Sequence, residues 1–468
     1  IVQAIPNEKA SEWMEENIPL FECPQHNFEE MYYYRWWSLR KHIKETPVGY
    51  GMTEFLVQRS YSDKYNLIAC AIGHHIYESR WLRDPKYLDQ IIHTWYRGND
   101  GGPMKKMNKF SSWNADAVLA RYMVDGDKDY LLDMKKDLET EYQRWERTNR
   151  LKNGLYWQGD VQDGMEESIS GGRRKKYARP TINSYMYGNA KALSCIGILS
   201  GDEGMAMKYG MRADTLKNLV ENELWNTRHQ FFETMRTDSS ANVREAIGYI
   251  PWYFNLPDTT KKYEIAWKEI MDEKGFSAPY GLTTAERRHP EFRTRGVGKC
   301  EWDGAIWPFA SAQTLTAMAN FMNNYPQTVL SDSVYFRQME LYVESQYHRG
   351  RPYIGEYLDE VTGYWLKGDQ ERSRYYNHST FNDLIITGLI GLRPRLDNTI
   401  EVNPLIPADK WDWFCLDNVL YHGHNLTILW DKNGDRYHCG KGLRIFVDGK
   451  EVGQANTLTK IVCENALK

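Results

Sequence analysis

The sequence predicts a mainly α-helical protein. It reads as an (α/α)6 toroid of six helical hairpins over residues 1–396, followed by a small β-sandwich-like module over 397–468. Three observations predict this. Twelve helical segments can be traced before about residue 394 from the spacing of apolar residues. They alternate between one-faced and apolar on most faces, as the outer and inner helices of a double wall must. From about Asp397 the apolar residues recur at every second position instead, the period of a strand.

In chain order the helical segments lie near 28–45, 63–81, 85–97, 112–124, 127–148, 182–200, 204–226, 245–254, 262–272, 305–324, 332–348 and 378–391. Odd segments are amphipathic. In the fifth, Leu131, Met134, Leu138, Tyr142 and Trp145 form one stripe and the remainder is mainly charged. Even segments suit a buried position. The tenth reads Ala305-Ile306-Trp307-Pro308-Phe309-Ala310-Ser311-Ala312, with Pro308 near the start, where its missing N–H costs little. The twelfth contains Leu384-Ile385-Ile386-Thr387-Gly388-Leu389-Ile390. Gly248 and Pro251 interrupt the eighth. An α-solenoid would also stack hairpins, but no fixed repeat length is present. The long connections, about 46–62, 98–111, 149–181, 273–304 and 349–377, all precede even segments. In a toroid they emerge on one rim, and loops on a rigid scaffold are where function concentrates. In the C-terminal part, Leu426, Ile428 and Trp430 alternate, as do Leu443, Ile445 and Val447. Asn433-Gly434 and Asp448-Gly449 are hairpin signals. About 70 residues are few for an independent core, so this module is expected to pack on the helices.

Composition narrows the function. Aromatic residues make up 14% of the 468, including 32 Tyr and 17 Trp. Such rings either fill a large core or grip amphipathic ligands. The net charge of −4 and the lack of a basic tail argue against a nucleic-acid partner. No apolar run approaches the roughly 18 residues of a membrane span. The seven Cys are scattered without a C-x-x-C, against a zinc ribbon or a dense disulfide framework. Neither metal nor cofactor is expected. The chain opens at Ile1 rather than Met, so it reads as processed or trimmed, in a periplasmic or secreted setting. Oligomeric state is not legible. Asn377-His378-Ser379 and Asn425-Leu426-Thr427 fit a glycosylation pattern too common to weigh.

Two rim loops carry the acids. Trp157-Gln158-Gly159-Asp160-Val161-Gln162-Asp163-Gly164-Met165-Glu166-Glu167-Ser168 holds Asp160, Asp163, Glu166 and Glu167. Crowded carboxylates in a dry site raise one pKa, which keeps a general acid protonated near neutrality. A solvated acidic loop or a calcium site would look the same. Gly355-Glu356-Tyr357-Leu358-Asp359-Glu360-Val361-Thr362-Gly363-Tyr364-Trp365 is ordinary alone. However, the first loop feeds the third inner helix and the second feeds the sixth, half a ring away. Carboxylates facing across a cleft suit hydrolysis of a bond between them. Further junctions mix rings with hydrogen-bonding groups, as sugar recognition requires: Trp113 with Asn114, Arg179 with Asn183, Glu301-Trp302-Asp303 with Trp307, and His378. Trp157 and Trp365 flank the acidic loops. Helix capping would also place Ser, Asp and Asn there. Asp431-Lys432-Asn433-Gly434-Asp435 lacks the distal Glu of a calcium loop and reads as a turn. His74-His75 sits within a helix and points two ways. No G-x-S-x-G, G-x-G-x-x-G or P-loop is present.

At these residues the chain resembles the six-hairpin glycoside hydrolases. It is similar to the mannosylglycerate hydrolase, glucosidase I and trehalase groups, and to a bacterial β-L-arabinofuranosidase family acting on pectin side chains. Gly164-Met165-Glu166-Glu167-Ser168 resembles the Gly-Met-Asp motif of the general acid. Glu356-Tyr357 with Thr362-Gly363 resembles the motif of the general base. Glu301-Trp302-Asp303 with Trp307-Pro308 resembles the trehalase Gln-Trp-Asp signature. The resemblance implies an inverting, exo-acting glycosidase on a carbohydrate substrate, with Glu166 as acid and Glu356 as base. Because the family Asp is Glu166 here, Asp163 and Glu167 remain alternatives for the acid, and Glu301 offers a third carboxylate. Sugar epimerases, polysaccharide lyases and non-catalytic glycan-binding proteins stay open on the same scaffold.

Overall fold

The computed structural model describes residues 2–260 and 262–468. Ile1, where the expected first domain begins, lies outside them. The chain is mainly helical, with small sheets. The expected segments appear as His26–Lys41, Ile72–Ser79, Lys86–Arg97, Asn114–Asp125, Lys128–Asp133 with Lys135–Asn149, and Pro180–Ser200. They continue as Glu203–Leu219, Ile250–Tyr253, Glu264–Ile270, Pro308–Asn324, Asp332–Ser345 and Asn382–Leu384 with the π-turn Ile385–Leu389. Pro180 and Pro308 both sit in the first turn of their helices, where the ring costs no hydrogen bond.

Three boundaries differ, and one helix is additional. The first segment stops at Lys41, and Ile43–Thr46 and Gly49–Met52 form a hairpin instead. The second becomes α-helical only at Ile72, after short 3-10 turns at Lys64–Asn66 and Ala69–Ala71, because Tyr65 and Asn66 adopt left-handed φ of 61° and 62° and break the α-helical path. The twelfth begins at Asn382, not 378, and residues 376–381 are irregular. A helix at Ala10–Asn17 was not legible.

Burial alternates along the chain. In Pro180–Ser200 most side chains are buried, whereas Glu203–Leu219 buries only Met205, Tyr209, Ala213 and Leu216. The buried helices contact one another in succession. Ile72–Ser79 packs on Asn114–Asp125, that on Pro180–Ser200, that on Ile250–Tyr253, and that on Pro308–Asn324. Pro308–Asn324 packs on Asn382–Leu384, which returns to Ile72–Ser79. Hydrogen bonds reinforce this last contact. The Glu78 carboxylate accepts the backbone N–H groups of Phe381, Asn382 and Asp383 at 2.9, 3.1 and 2.7 Å. It thereby satisfies donors that the start of a helix leaves unpaired. Arg80 and Trp81 donate to Asp383 at 2.8 and 2.7 Å.

The C-terminal strands form a five-stranded antiparallel sheet in the order Lys450–Ala455, Gly442–Val447, His424–Asp431, Trp413–Tyr421 and Leu20–Glu22. The edge strand therefore comes from the N-terminal region. Ile400–Val402 pairs separately with Ile461–Cys463. Asp448 and Gly449, at φ 50° and 80°, make the expected tight hairpin turn. Asn433-Gly434 does not make one. Residues 432–441 form a wider loop, held because the Asp431 carboxylate accepts the N–H groups of Gly434, Arg436 and Tyr437, each at 2.9 Å. Trp411 packs edge-on against Phe28 and Phe336 of the helices, with centroids 5.2 and 5.4 Å away.

Candidate active site

Loops that precede the buried helices line one cavity of about 380 Å³. That is at the small end of the roughly 300–1,000 Å³ of small-ligand pockets. Three carboxylates line it: Glu54, Glu166 and Glu356. Trp307, Phe309 and Tyr376 supply aromatic walls, and His378 also faces in.

Glu166 sits in a tight turn. Gly164 and Glu167 flank it with φ of 70° and 68°, and Met165 N–H is tied to the Asp160 carbonyl at 2.9 Å. Burial, with the nearby Glu356 and Asp160 carboxylates, pushes the Glu166 pKa up to about 7. Glu356 follows Gly355, where a Cβ would come within 2.7 Å of both the Tyr353 and Trp365 rings, so only glycine lets the chain pass between them. Reciprocal backbone bonds of 3.0 and 2.9 Å join Ile306 to Leu358, which ties the loop of Trp307 to that of Glu356. Glu356 Oε2 has Lys367 Nζ at 3.5 Å and Arg372 Nη2 at 3.6 Å, and makes no hydrogen bond among the described residues.

Glu54 was missed by the sequence reading. It is the one acid in the 46–62 connection, and a search for a single carboxylate in each rim loop would have found it. Its carboxylate accepts the Cys70 thiol at 3.5 Å and lies 3.9 Å from His378 Nδ1. Burial pushes its pKa up to about 8. Glu356 and Glu166 add to the rise, against hydrogen bonds from Tyr376 and Cys70. Burial holds His378 well below the usual histidine range, so the ring is neutral, and its Nε2 has no partner among the described residues.

Several expected site residues stand elsewhere. Asp163 is fully buried in an ion pair with Arg179 (2.6 Å), accepts Thr181 Oγ1 at 2.5 Å, and is also bonded by Ser111 Oγ. With its oxygens committed it braces the loop, and neither it nor Arg179 lines the cavity. Glu167 pairs with Arg173 at 2.6 Å. Asn183 bonds the backbone N–H and carbonyl of Tyr156 at 2.8 and 2.9 Å. Glu301 pairs with Arg293 at 3.2 Å and is not the third carboxylate of the cavity. Asp303 accepts the N–H groups of Arg295 and Gly296 at 2.6 and 3.1 Å, pinning the preceding loop. Of the five rim tryptophans only Trp307 lines the cavity. Trp302 stacks behind it at 4.5 Å, and Tyr357 stacks on it at 4.6 Å. Trp113 is buried against His74, Tyr185 and Phe309, and Trp365 in a cluster with Ile306, Tyr353 and Leu358. Trp157 is half-buried beneath Lys176 Nζ, 4.6 Å from its ring centre. Position near a rim fixes which loop a ring belongs to. Which neighbours it packs on is set by the fold.

The helical scaffold and the acid-lined cavity fit a glycoside hydrolase, and the family matches fall in that class. Residues 64–379 match the model of the mannosylglycerate hydrolase MGH1-like glycoside hydrolase domain, and 392–453 that of the glycosyl hydrolase family 65 C-terminal domain. The first match takes in more than half of the sequence, and the chain belongs to the MGH1-like glycoside hydrolase family. A solved structure named "Sialidase" is 95% identical with a TM-score of 0.99 over 100% of this chain, which spans 43% of that structure's length. The GH63 mannosylglycerate hydrolase from Thermus thermophilus is 12% identical with a TM-score of 0.57, covering 74% of this chain and 98% of its own. The GH78 rhamnosidase of Bacillus sp. GL1 is 10% identical with a TM-score of 0.62, covering 92% and 41%. At such identities these two likenesses bear on fold alone.

Proposed function

We propose that this chain is the catalytic part of an inverting glycosidase that removes a terminal sugar from a glycan. Glu166 protonates the leaving oxygen, and Glu356 activates water on the opposite face. The carrying observation is that Glu166 and Glu356, from two loops far apart in sequence, line the same small cavity. A carboxyl raised to about 7 suits a proton donor. Lys367 and Arg372 beside Glu356 provide charge balance for an anionic base. The aromatic wall of Trp307 suits the apolar face of a sugar ring. A cavity this small favours a chain end over the middle of a polymer.

The closed succession of buried helices supports reading the scaffold as an (α/α)6 toroid. Residues 1–396 would form the catalytic domain and 397–468 a β-module packed on it. The similar structures suggest sialosides, mannosylglycerate and rhamnosides as candidate substrates to screen. In the test, Glu356→Gln is assayed on aryl glycosides and plant oligosaccharides beside the parent protein. Turnover should fall by orders of magnitude while the melting temperature holds. Unchanged turnover overturns the assignment. NMR of the first-formed sugar should show the anomer opposite to that of the substrate. An epimer or an ultraviolet-absorbing unsaturated uronide would instead indicate an epimerase or a lyase.

A further inference from the structure

A second cavity, of about 360 Å³, lies at the opposite end of the buried helices. The candidate active site is lined by residues before these helices or in their first turn, such as Cys70, Glu166 and Phe309. The second cavity is lined by residues at or near their ends: Tyr77 and Arg80, Met123, Tyr253, and Asn320 and Asn324. Among the described residues none lines both. Arg393, Pro394 and Arg395, which lead toward the C-terminal strands, line it from the side. Small-molecule pockets concentrate in such places, between helices and at domain borders.

The wall is mixed in charge. Arg80, Arg393 and Arg395 line it together with Asp116, Asp383 and Glu401. Arg80 pairs with Asp383 at 2.8 Å and Arg395 with Glu401 at 3.2 Å. The Arg393 fork is taken up by the Thr387 carbonyl at 3.0 Å and the Asn320 side-chain oxygen at 2.6 Å. Interspersed charges of both signs concentrate neither cations nor anions. Several polar atoms nevertheless keep spare capacity. Asp383 is buried, and its Oδ1 takes bonds from Arg80 and Trp81. Its Oδ2 has no partner among the described residues. Asp116 Oδ2 accepts the Tyr77 hydroxyl at 2.6 Å, and Oδ1 accepts nothing among them. The Tyr253 hydroxyl accepts from Trp113 Nε1 at 3.1 Å, and its own proton has no acceptor among them. Buried polar atoms left without partners need an explanation, and a bound molecule that both donates and accepts supplies one. Hydroxyl groups do both. Burial raises the Asp116 pKa to about 7, so this side chain accepts when ionised and donates when protonated, and a hydroxyl suits either state. The rings of Tyr77, Tyr253 and Phe254 add apolar faces.

We propose that this cavity is a second, non-catalytic binding site for a neutral polyhydroxylated ligand of the monosaccharide class. The Asp116 and Asp383 side chains accept its hydroxyl groups, Tyr253 donates to one, and the aromatic rings flank its C–H face. The proposal does not depend on which residues catalyse at the other end.

The test is saturation-transfer NMR of the ligand, titrated with D-glucose, D-galactose, D-mannose and L-rhamnose. D-Glucosamine and D-glucuronate serve as charged analogues. At least one of the neutral sugars should bind with a Kd in the millimolar range. Leu119→Trp and Met123→Trp each bring an indole into the cavity from one helix, and neither residue lines the candidate active site. In a variant that keeps the parent melting temperature, binding should weaken by about tenfold or more. Asp116→Ala removes an acceptor without filling space. It should weaken binding by about fivefold, and it decides the matter if both indoles unfold the protein. Binding unchanged in the folded variants places the sugar elsewhere and overturns the proposal. No binding by any of the neutral sugars overturns it too, leaving a water-filled gap between helix ends. A preference of about tenfold for either charged analogue overturns the neutral class.

Discussion

At the residue scale, environment divides carboxylates that the sequence presents as equals. Asp163, Glu166 and Glu167 lie within five residues, yet one is an internal brace, one lines the cavity and one is buried with only the exposed Arg173 as its partner. Asp163→Ala should cost about 3–5 kcal/mol in denaturant unfolding, because it strands the buried Arg179 charge. Glu166→Gln should leave unfolding nearly unchanged and lower kcat by about 10²–10⁴-fold. If Asp163→Ala retains full stability and Glu166→Gln full turnover, the roles are misassigned. With Glu166 as the proton donor, kcat/KM should decline as pH rises through about 7, where that proton is lost. A second pH effect concerns stability. Burial raises Glu54 to about 8, and Glu78, Asp116 and Glu141 to about 7. These groups keep protons in the folded state that the unfolded chain releases near pH 4–4.5, so stability falls as pH rises from there to about 8. Buried His42, His74, His75 and His378 act oppositely. They stay neutral while the unfolded chain takes up protons below about pH 6.5, so stability also falls toward acid. The melting temperature should peak near about pH 6 and decline toward pH 8, more gently in Glu54→Gln. A steady rise to pH 8 would contradict this.

At the element scale, period and punctuation located most helices. Leu138, Tyr142 and Trp145 stand on the buried face of Lys135–Asn149, and Pro180 and Pro308 mark two starts. The misread boundaries have local causes. Tyr65 and Asn66 are ordinary in sequence but left-handed in the fold, and the Asp431 carboxylate opens what Asn433-Gly434 signals as a tight turn. Close packing between buried helices offers a direct test. A Cβ on Gly73 would lie 2.1 Å from the Trp113 ring. Gly73→Ala should therefore destabilise by about 1–3 kcal/mol or more in chemical denaturation, despite alanine's better helix propensity. A stabilised variant would show that the two helices do not meet this closely.

At the scale of the whole molecule, the N- and C-terminal regions are interlocked. Leu20–Glu22 pairs with Trp413–Tyr421, and Trp411 covers Phe28 and Phe336. A chain ending at residue 396 should lose cooperative unfolding and bind a hydrophobic dye, since it exposes those rings and an unpaired strand edge. A soluble, cooperatively melting truncation would show that the helical part stands alone. The candidate site also belongs to this scale. Glu54, Glu166 and Glu356 are separated by more than a hundred residues at each step, and only packing of the buried helices brings their loops to one cavity.

The sequence by itself determined the helical class, the alternation of buried and exposed helices, the change to strands near residue 397 and the loops that carry the acids. Each of these is a local period or composition, which short-range sterics and solvent exposure dictate. Only the tertiary structure decided that Glu54 joins Glu166 and Glu356, that Asp163 is saturated by Arg179, and that Trp307 alone of the rim tryptophans faces the cavity. Those outcomes depend on partners dozens to hundreds of residues away, and a side chain's burial, charge balance and hydrogen bonds exist only once such partners are in place.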